Sequence, residues 1–156
     1  MAKPRGIRNH NPFNIRYNSA IDWVGQVGKD DAGFVIFKSA DFGIRAAGRL
    51  MRTYKKKYKL NSIEGIVRRW APESENDTQN YIRQVTRLTG LSSSKKLSER
   101  DYCKLANAMI QMENGQQPYS TKRINKALLS GLCGQKSDSS NKYQGIIARI
   151  VSLFTK

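Results

Sequence analysis

The sequence predicts a mainly α-helical domain of the α+β class, with one small β-hairpin region near residues 20–38. Two observations support this prediction. Apolar residues recur at spacings of three and four in several successive stretches, which is the period of an amphipathic helix. One region instead holds the apolar run Phe34-Val35-Ile36-Phe37 after several glycines, which is typical of short strands. A chain of 156 residues is long enough for one such domain with a real core.

The elements are expected in a simple order along the chain. Residues 1–18 are rich in Asn, Pro and Gly, which favours tight loops whose side chains bond the backbone. Asp30 and Asp31 are interpreted as formers of the hairpin turn. Five helices are then predicted from their start and stop residues: 40–58 after Ser39, a short helix from Ser62 to Pro72, one capped by Asn76 or Asp77 and ended by Gly90, one from Ser98 to Asn114-Gly115, and one after Ser120.

We expect residues 1–135 to form this domain, and residues 136–156 to form a flexible linker with a basic amphipathic helix. That helix would either dock on the domain, which we favour slightly, or lie on an anionic membrane surface. The N-terminus does not resemble a signal peptide. No stretch approaches the roughly 18 apolar residues that a membrane span needs.

Charge and composition limit the class of function. The chain has 28 Lys and Arg against 12 Asp and Glu, a net charge of +16, which favours association with polyanions. The basic residues are spread along the chain without a nucleic-acid-binding motif, so specific nucleic-acid binding is disfavoured. One His and two Cys without ligand spacing argue against a zinc site. Cys103 lies in an apolar helical pattern, and we expect it to be buried.

Glu113 is the candidate catalytic residue. It follows an apolar helical pattern and precedes Asn114-Gly115 and Pro118, so we expect it in the last turn of a helix. A carboxyl shielded from water at the negative end of a helix dipole favours its protonated form, which a general acid requires. The alternative is an ordinary solvated glutamate near a helix end, and these features alone favour that alternative.

A set of short motifs extends over residues 5–120. It comprises Arg5-Gly6-Ile7-Arg8-Asn9, Asn11-Pro12-Phe13-Asn14-Ile15-Arg16, Trp23-Val24-Gly25, Gly33-Phe34, Phe37, Gly43-Ile44-Arg45-Ala46, Arg69-Trp70-Ala71-Pro72, Glu75-Asn76-Asp77-Thr78, Tyr81, and Glu113-Asn114-Gly115 with Gln117-Pro118-Tyr119. This set resembles a family of phage and prophage proteins related to the lysozyme superfamily. Its members are described as virion structural or lysozyme-like proteins. Phe13 stands where a glycine commonly follows the proline, so the local turn is expected to differ.

Two segments resemble a more specific group of enzymes. The segment from Glu113 to Pro118, followed by Ser120, is similar to the catalytic segment of goose-type lysozymes and soluble lytic transglycosylases. The segment from Thr78 to Val85, which contains Tyr81, is similar to a helix whose tyrosine lies near the reacting sugar in those enzymes. The two segments stand here in the reverse order. Either the glutamate match is chance or the domain is a circularly permuted lysozyme-like fold, which we favour because both segments match.

The resemblance implies cleavage of the glycosidic bond between N-acetylmuramic acid and N-acetylglucosamine in peptidoglycan, by hydrolysis or by transglycosylation. Glu113 would be the acid, Tyr81 would act near the cleaved bond, and Glu75 or Asp77 would hold a water. No metal or organic cofactor is needed. Substrate contacts are expected from Asn11, Asn14, Trp23, Thr78 and Tyr119. For the loop asparagines a purely structural role is the alternative, and for Trp23 the alternative is a hydrophobic plug.

The partners and location follow from this interpretation. An endolysin or virion-associated lysin would be a monomer that acts on peptidoglycan glycan strands in the periplasm or cell wall, after synthesis in the host cytoplasm or delivery by the virion. Its basic C-terminal helix could also contact an anionic membrane or lipopolysaccharide surface. The main alternative is a non-catalytic virion structural or cell-wall-binding protein on the same scaffold, and a nucleic-acid-binding protein is less favoured.

Overall fold

The computed structural model describes residues 2–134, which form six helices and one two-stranded antiparallel sheet. The prediction of a mainly helical α+β fold is therefore confirmed. The predicted linker and C-terminal helix of residues 136–156 lie outside the described residues. The elements are α1 (Arg5–Arg8), β1 (Gln26–Lys29), β2 (Val35–Phe37), α2 (Ala40–Tyr58), α3 (Ile63–Trp70), α4 (Thr78–Thr89), α5 (Glu99–Asn114) and α6 (Thr121–Leu132).

The hairpin of β1 and β2 is closed by the predicted turn. Asp30 Oδ1 accepts hydrogen bonds from the backbone N–H groups of Ala32 and Phe34, at 3.0 and 2.8 Å. Gly33 adopts a φ of 89°, which a glycine takes without steric cost. Arg16 pairs with Phe34 in an isolated antiparallel bridge. This bridge attaches the N-terminal loop to the hairpin.

The helix boundaries follow the local signals in the sequence. Gly90 and Gly115 end α4 and α5 with φ of 70° and 68°, the left-handed conformation in which helices commonly stop. Ser39 precedes α2 without a capping hydrogen bond from its side chain. Four other helices begin at a residue whose side chain accepts a backbone N–H of the first turn. These residues are Ser62, Asp77, Ser98 and Ser120.

The N-terminal segment differs from the prediction of loops throughout residues 1–18, because it contains α1. Four residues are too few to show a helical period in the sequence. Phe13 from the same segment is fully buried, with its ring edge-on to Trp70 at a centroid distance of 5.8 Å. The ring of Tyr54 from α2 packs against the same indole, with the ring centroids 6.1 Å apart. The N-terminal loop is therefore anchored in the main hydrophobic core.

Helices α2 and α6 cross with their backbones in close contact. A Cβ atom added to Gly48 in α2 would overlap the carbonyl oxygen of Leu128 in α6. A Cβ atom added to Gly131 in α6 would overlap the carbonyl oxygen of Arg45 in α2. The two glycines thus permit an approach that any side chain would block.

Asp101 in the first turn of α5 makes the stability of the fold depend on pH. Its Oδ2 accepts hydrogen bonds from Lys95 Nζ at 2.6 Å and from Ser98 N at 3.1 Å. The Lys95 ammonium, and then the Ser98 N–H, lower the pKa of Asp101 to about 2. The unfolded chain titrates this carboxyl near pH ~3.9. The stabilisation is therefore complete above that value and is lost as pH falls toward about 2.

We expect Asp101→Asn to lower the free energy of unfolding at pH 7. The difference from the native protein should shrink as pH falls from about 4 to about 2, because the native carboxylate is then also neutralised. Urea unfolding at a series of pH values measures both quantities. A difference that stays constant over this range would contradict the assignment.

Candidate active site

Glu113 lies half-buried in the last turn of α5 and is held by two other segments of the chain. Its Oε1 accepts a hydrogen bond from the Tyr81 hydroxyl at 3.3 Å. Its Oε2 accepts one from Asn14 Nδ2 at 3.1 Å. Tyr81 comes from α4 and Asn14 from the N-terminal loop. The structure therefore brings three of the predicted site residues together around one carboxyl.

Tyr81 is a hydrogen-bond donor to this carboxyl rather than an acceptor. The side chain is buried, with the residue 8% exposed. Burial first, and then the nearby Glu113 carboxylate, raise the pKa of Tyr81 well above its usual range. The phenol therefore stays protonated at neutral pH and can orient Glu113 through its O–H group.

Asn14 reaches Glu113 from a left-handed backbone conformation, with φ of 51°. Such angles are uncommon outside glycine, although asparagine tolerates them better than most residues. Its backbone N–H is bonded to the carbonyl oxygen of Asn11 at 2.9 Å, which closes a tight turn. The turn directs the Asn14 amide toward the end of α5.

Asn114 fastens the N-terminal loop to α5 at the same place. Its Nδ2 donates to the carbonyl oxygens of Pro12 and Ile110, at 2.8 and 2.9 Å. Gly6 packs directly against this amide, and a Cβ atom at that position would overlap Asn114 Oδ1. Asn114 was expected only to help end the helix, and its second role depends on a contact across 102 positions in the sequence.

Two of the predicted substrate contacts are corrected by the structure. Asn11 is fully buried, its Nδ2 donates to the carbonyl oxygens of Ile15 and Val35, and its Oδ1 accepts the N–H of Ile15. Thr78 is also buried, and its hydroxyl donates to the carbonyl oxygen of Ala71. Both side chains stabilise the backbone from inside the protein, so neither is placed to contact a glycan.

Trp23 and Tyr119 occupy packing positions. Trp23 is 7% exposed and belongs to the main hydrophobic core, which agrees with the alternative of a hydrophobic plug. Tyr119 is half-buried just before α6, with the Arg123 guanidinium 5.3 Å from its ring centre. Arg123 in turn pairs with Asp41 at 2.9 Å. The structure thus gives both aromatic residues packing contacts.

A cavity of about 190 Å³ adjoins Asn14. Glu75 is exposed on the loop between α3 and α4 and lines this cavity, so it shares a cavity with the residue that holds Glu113. The sequence did not predict the part of the wall formed by Arg5, Arg16 and Phe34. The backbone bridge between Arg16 and Phe34 joins distant parts of the chain, so no short sequence pattern indicates it. The lining residues are Arg5, Asn14, Arg16, Phe34, Glu75 and Asn76.

A larger cavity of about 840 Å³ lies between α4, α5 and α6. Its wall includes Lys104, Asn107 and Gln111 of α5. A helix turns by about 100° per residue, so these side chains point away from the side of α5 that carries Glu113. The hydrogen-bonded carboxyl, and not the larger of these two cavities, therefore marks the candidate site. Within residues 2–134, no group of three or more His, Cys, Asp and Glu side chains is arranged to hold a metal ion. No helix in that part of the chain is long and apolar enough to cross a membrane.

Comparison with known proteins places the chain among bacteriophage proteins. It is 47% identical over 133 residues to Protein P5 of Pseudoalteromonas phage PM2, and the match covers 83% of each protein. No protein-family model matches the chain. Identity at this level over most of both sequences indicates common descent, and the chain therefore belongs to the family of Protein P5 of Pseudoalteromonas phage PM2.

Proposed function

We propose that the protein cleaves the glycan strands of peptidoglycan, with Glu113 as the general acid. The observation that supports this most directly is the half-buried Glu113 carboxyl, held by the Tyr81 hydroxyl and by the amide of Asn14, a residue that also lines a cavity. The resemblance of the two segments around Tyr81 and Glu113 to lysozymes and lytic transglycosylases supplies the substrate class. In a bacteriophage family, such an activity would serve passage through the host cell wall, as an endolysin or a virion-associated lysin.

The reversed order of the two segments is compatible with this proposal. Helices α4 and α5 pack against each other, so Tyr81 and Glu113 are neighbours in space regardless of which segment comes first. Circular permutation changes the connections between elements and keeps such contacts. A permuted lysozyme-like domain is therefore part of the proposal.

The chemistry would begin with proton transfer from Glu113 to the glycosidic oxygen between N-acetylmuramic acid and N-acetylglucosamine. Positive charge then develops at the anomeric carbon as the bond breaks. The Tyr81 and Asn14 donors would hold the carboxyl in position and stabilise the carboxylate that the transfer leaves behind. This arrangement requires no metal ion for the transfer.

The second half of the reaction has two forms. If Glu75 activates a water in the cavity, the water adds to the anomeric carbon and the product is a reducing N-acetylmuramic acid end. If the 6-hydroxyl of the same sugar attacks instead, the product is the 1,6-anhydro sugar and no water is consumed. The two products differ in mass by one water.

Digestion of purified murein by the full chain, followed by mass spectrometry of the soluble products, tests the proposal. We expect disaccharide muropeptides that end in muramic acid, and the mass of that end identifies the second step. Folded protein that releases no glycan fragment would contradict the proposal. Pelleting with murein in that case would favour a non-catalytic virion structural or cell-wall-binding role.

A further inference from the structure

Two arginines make cation–π contacts with one aromatic ring, that of Phe34, in the wall of the cavity that Asn14 lines. The guanidinium carbons of Arg5 and Arg16 lie 4.4 and 4.9 Å from the centre of the Phe34 ring. Both residues line the cavity, and both are exposed. Contact with an aromatic face holds each planar cation in place without using its N–H donors.

Asp30 on the hairpin lies close to Arg5, but both of its carboxylate oxygens accept hydrogen bonds from other groups. Asp30 lies 3.8 Å from Arg5, but its Oδ1 accepts the backbone N–H groups of Ala32 and Phe34, and its Oδ2 accepts the Asn9 amide. Burial acts to raise the pKa of Asp30, but the hydrogen bonds outweigh it and hold the pKa below its usual value. The carboxylate thus closes the hairpin turn. Of the side chains that line the cavity, two are cationic and one, Glu75, is anionic.

Two planar guanidinium groups at the rim of a small cavity suit carboxylate ligands, which they can bind through paired N–H donors. The sugars of a murein strand whose muramic acids bear peptides are uncharged, because each lactyl carboxyl is joined to its peptide as an amide. The free carboxylates belong to these stem peptides. A stem peptide branches from the same muramic acid whose glycosidic bond Glu113 would protonate.

We propose that this cavity is a subsite for the carboxylates of the stem peptide, with Arg5 and Arg16 as its binding residues. The proposal rests on the proposed function for its class of ligand, because it takes murein as the molecule that the protein binds. Asn14 connects the two places, since it lines the cavity and donates to Glu113 at 3.1 Å. Strands that carry peptides should therefore bind better than strands from which the peptides have been removed.

Titration calorimetry with two defined ligands tests the subsite without requiring cleavage. We expect the full chain to bind N-acetylglucosaminyl-N-acetylmuramoyl tetrapeptide roughly tenfold more tightly than the same disaccharide without peptide. The Arg5→Gln/Arg16→Gln double variant should lose this preference, and the corresponding double Lys variant should retain part of it because the charge remains. Arg87→Gln, at an exposed position in the last turn of α4, is the control and should keep the full preference.

Equal affinity of the native protein for the two ligands, or an unchanged preference in the double Gln variant, would overturn the subsite. Cleavage of intact murein and of murein stripped by an amidase, measured in parallel, separates the two proposals. Cleavage without any peptide preference would refute the subsite alone. A preference in binding with no cleavage by the native protein would refute the enzymatic function and leave the subsite standing.

Discussion

Murein cleavage should fall by about a thousandfold in Glu113→Gln, because the amide has no proton to donate while general acid catalysis supplies a factor of this order. Glutamine has the shape of glutamate, and its carbonyl oxygen can still accept a hydrogen bond from the Tyr81 hydroxyl. The fold around the end of α5 is therefore expected to remain. The initial rate of release of soluble fragments from purified murein measures the effect, with circular dichroism to verify folding.

Two further variants make this result specific. Glu99→Gln changes the same residue type at the other end of α5, about 21 Å away along the helix axis, and should leave the rate unchanged. Tyr81→Phe removes one donor to Glu113 and keeps the acid, so it should lower the rate by roughly tenfold. Equal rates for Glu113→Gln and the native protein would rule out Glu113 as the acid.

The largest expected effect on stability is that of Gly131→Ala, which should reduce the free energy of unfolding by about 3 kcal/mol. In an isolated helix the same substitution is favourable by roughly 1 kcal/mol. Here the new methyl group would overlap the backbone of α2 at Arg45, and backbone cannot rotate away as a side chain can. The two helices would have to separate along their contact.

Gly65→Ala in α3 is the matched control for this substitution. The nearest atom to its added Cβ is Leu60 Cδ2 at 3.2 Å, the end of a flexible side chain. We expect no change or a small gain in stability, so only the substitution in α6 should destabilise the protein. Urea unfolding of both variants measures the difference. A loss of the same size in both would be incompatible with the close crossing of α2 and α6.

The helices could be predicted because their signals are local. Ser98 and Asp101 form the capping box that their spacing predicts, and Gly115 ends α5 where the sequence places the stop. The buried position of Cys103 in α5 also follows from helical periodicity and is confirmed. The four-residue α1 gives no such period, and its place depends on the contact between Gly6 and the end of α5.

The site could be predicted only in part, because residues of one type in one loop have different environments. Asn11 and Asn14 stand three positions apart, yet Asn11 is buried in backbone contacts and Asn14 reaches Glu113. Nothing in the local sequence separates them. The place of Arg5 and Arg16 in the cavity could not be predicted for a related reason. The backbone bridge between Arg16 and Phe34, which forms this part of the wall, joins distant parts of the chain.

The burial of Phe13 against Trp70 determines how the candidate site would come apart. Asn14 is the next residue along the chain, so the turn that places its amide beside Glu113 cannot open unless the Phe13 ring leaves the interior. A loop that is anchored in this way has no open state of low free energy. Heat would therefore disassemble the candidate site and unfold the helices in one cooperative event, and a folded population with a disassembled site would not accumulate.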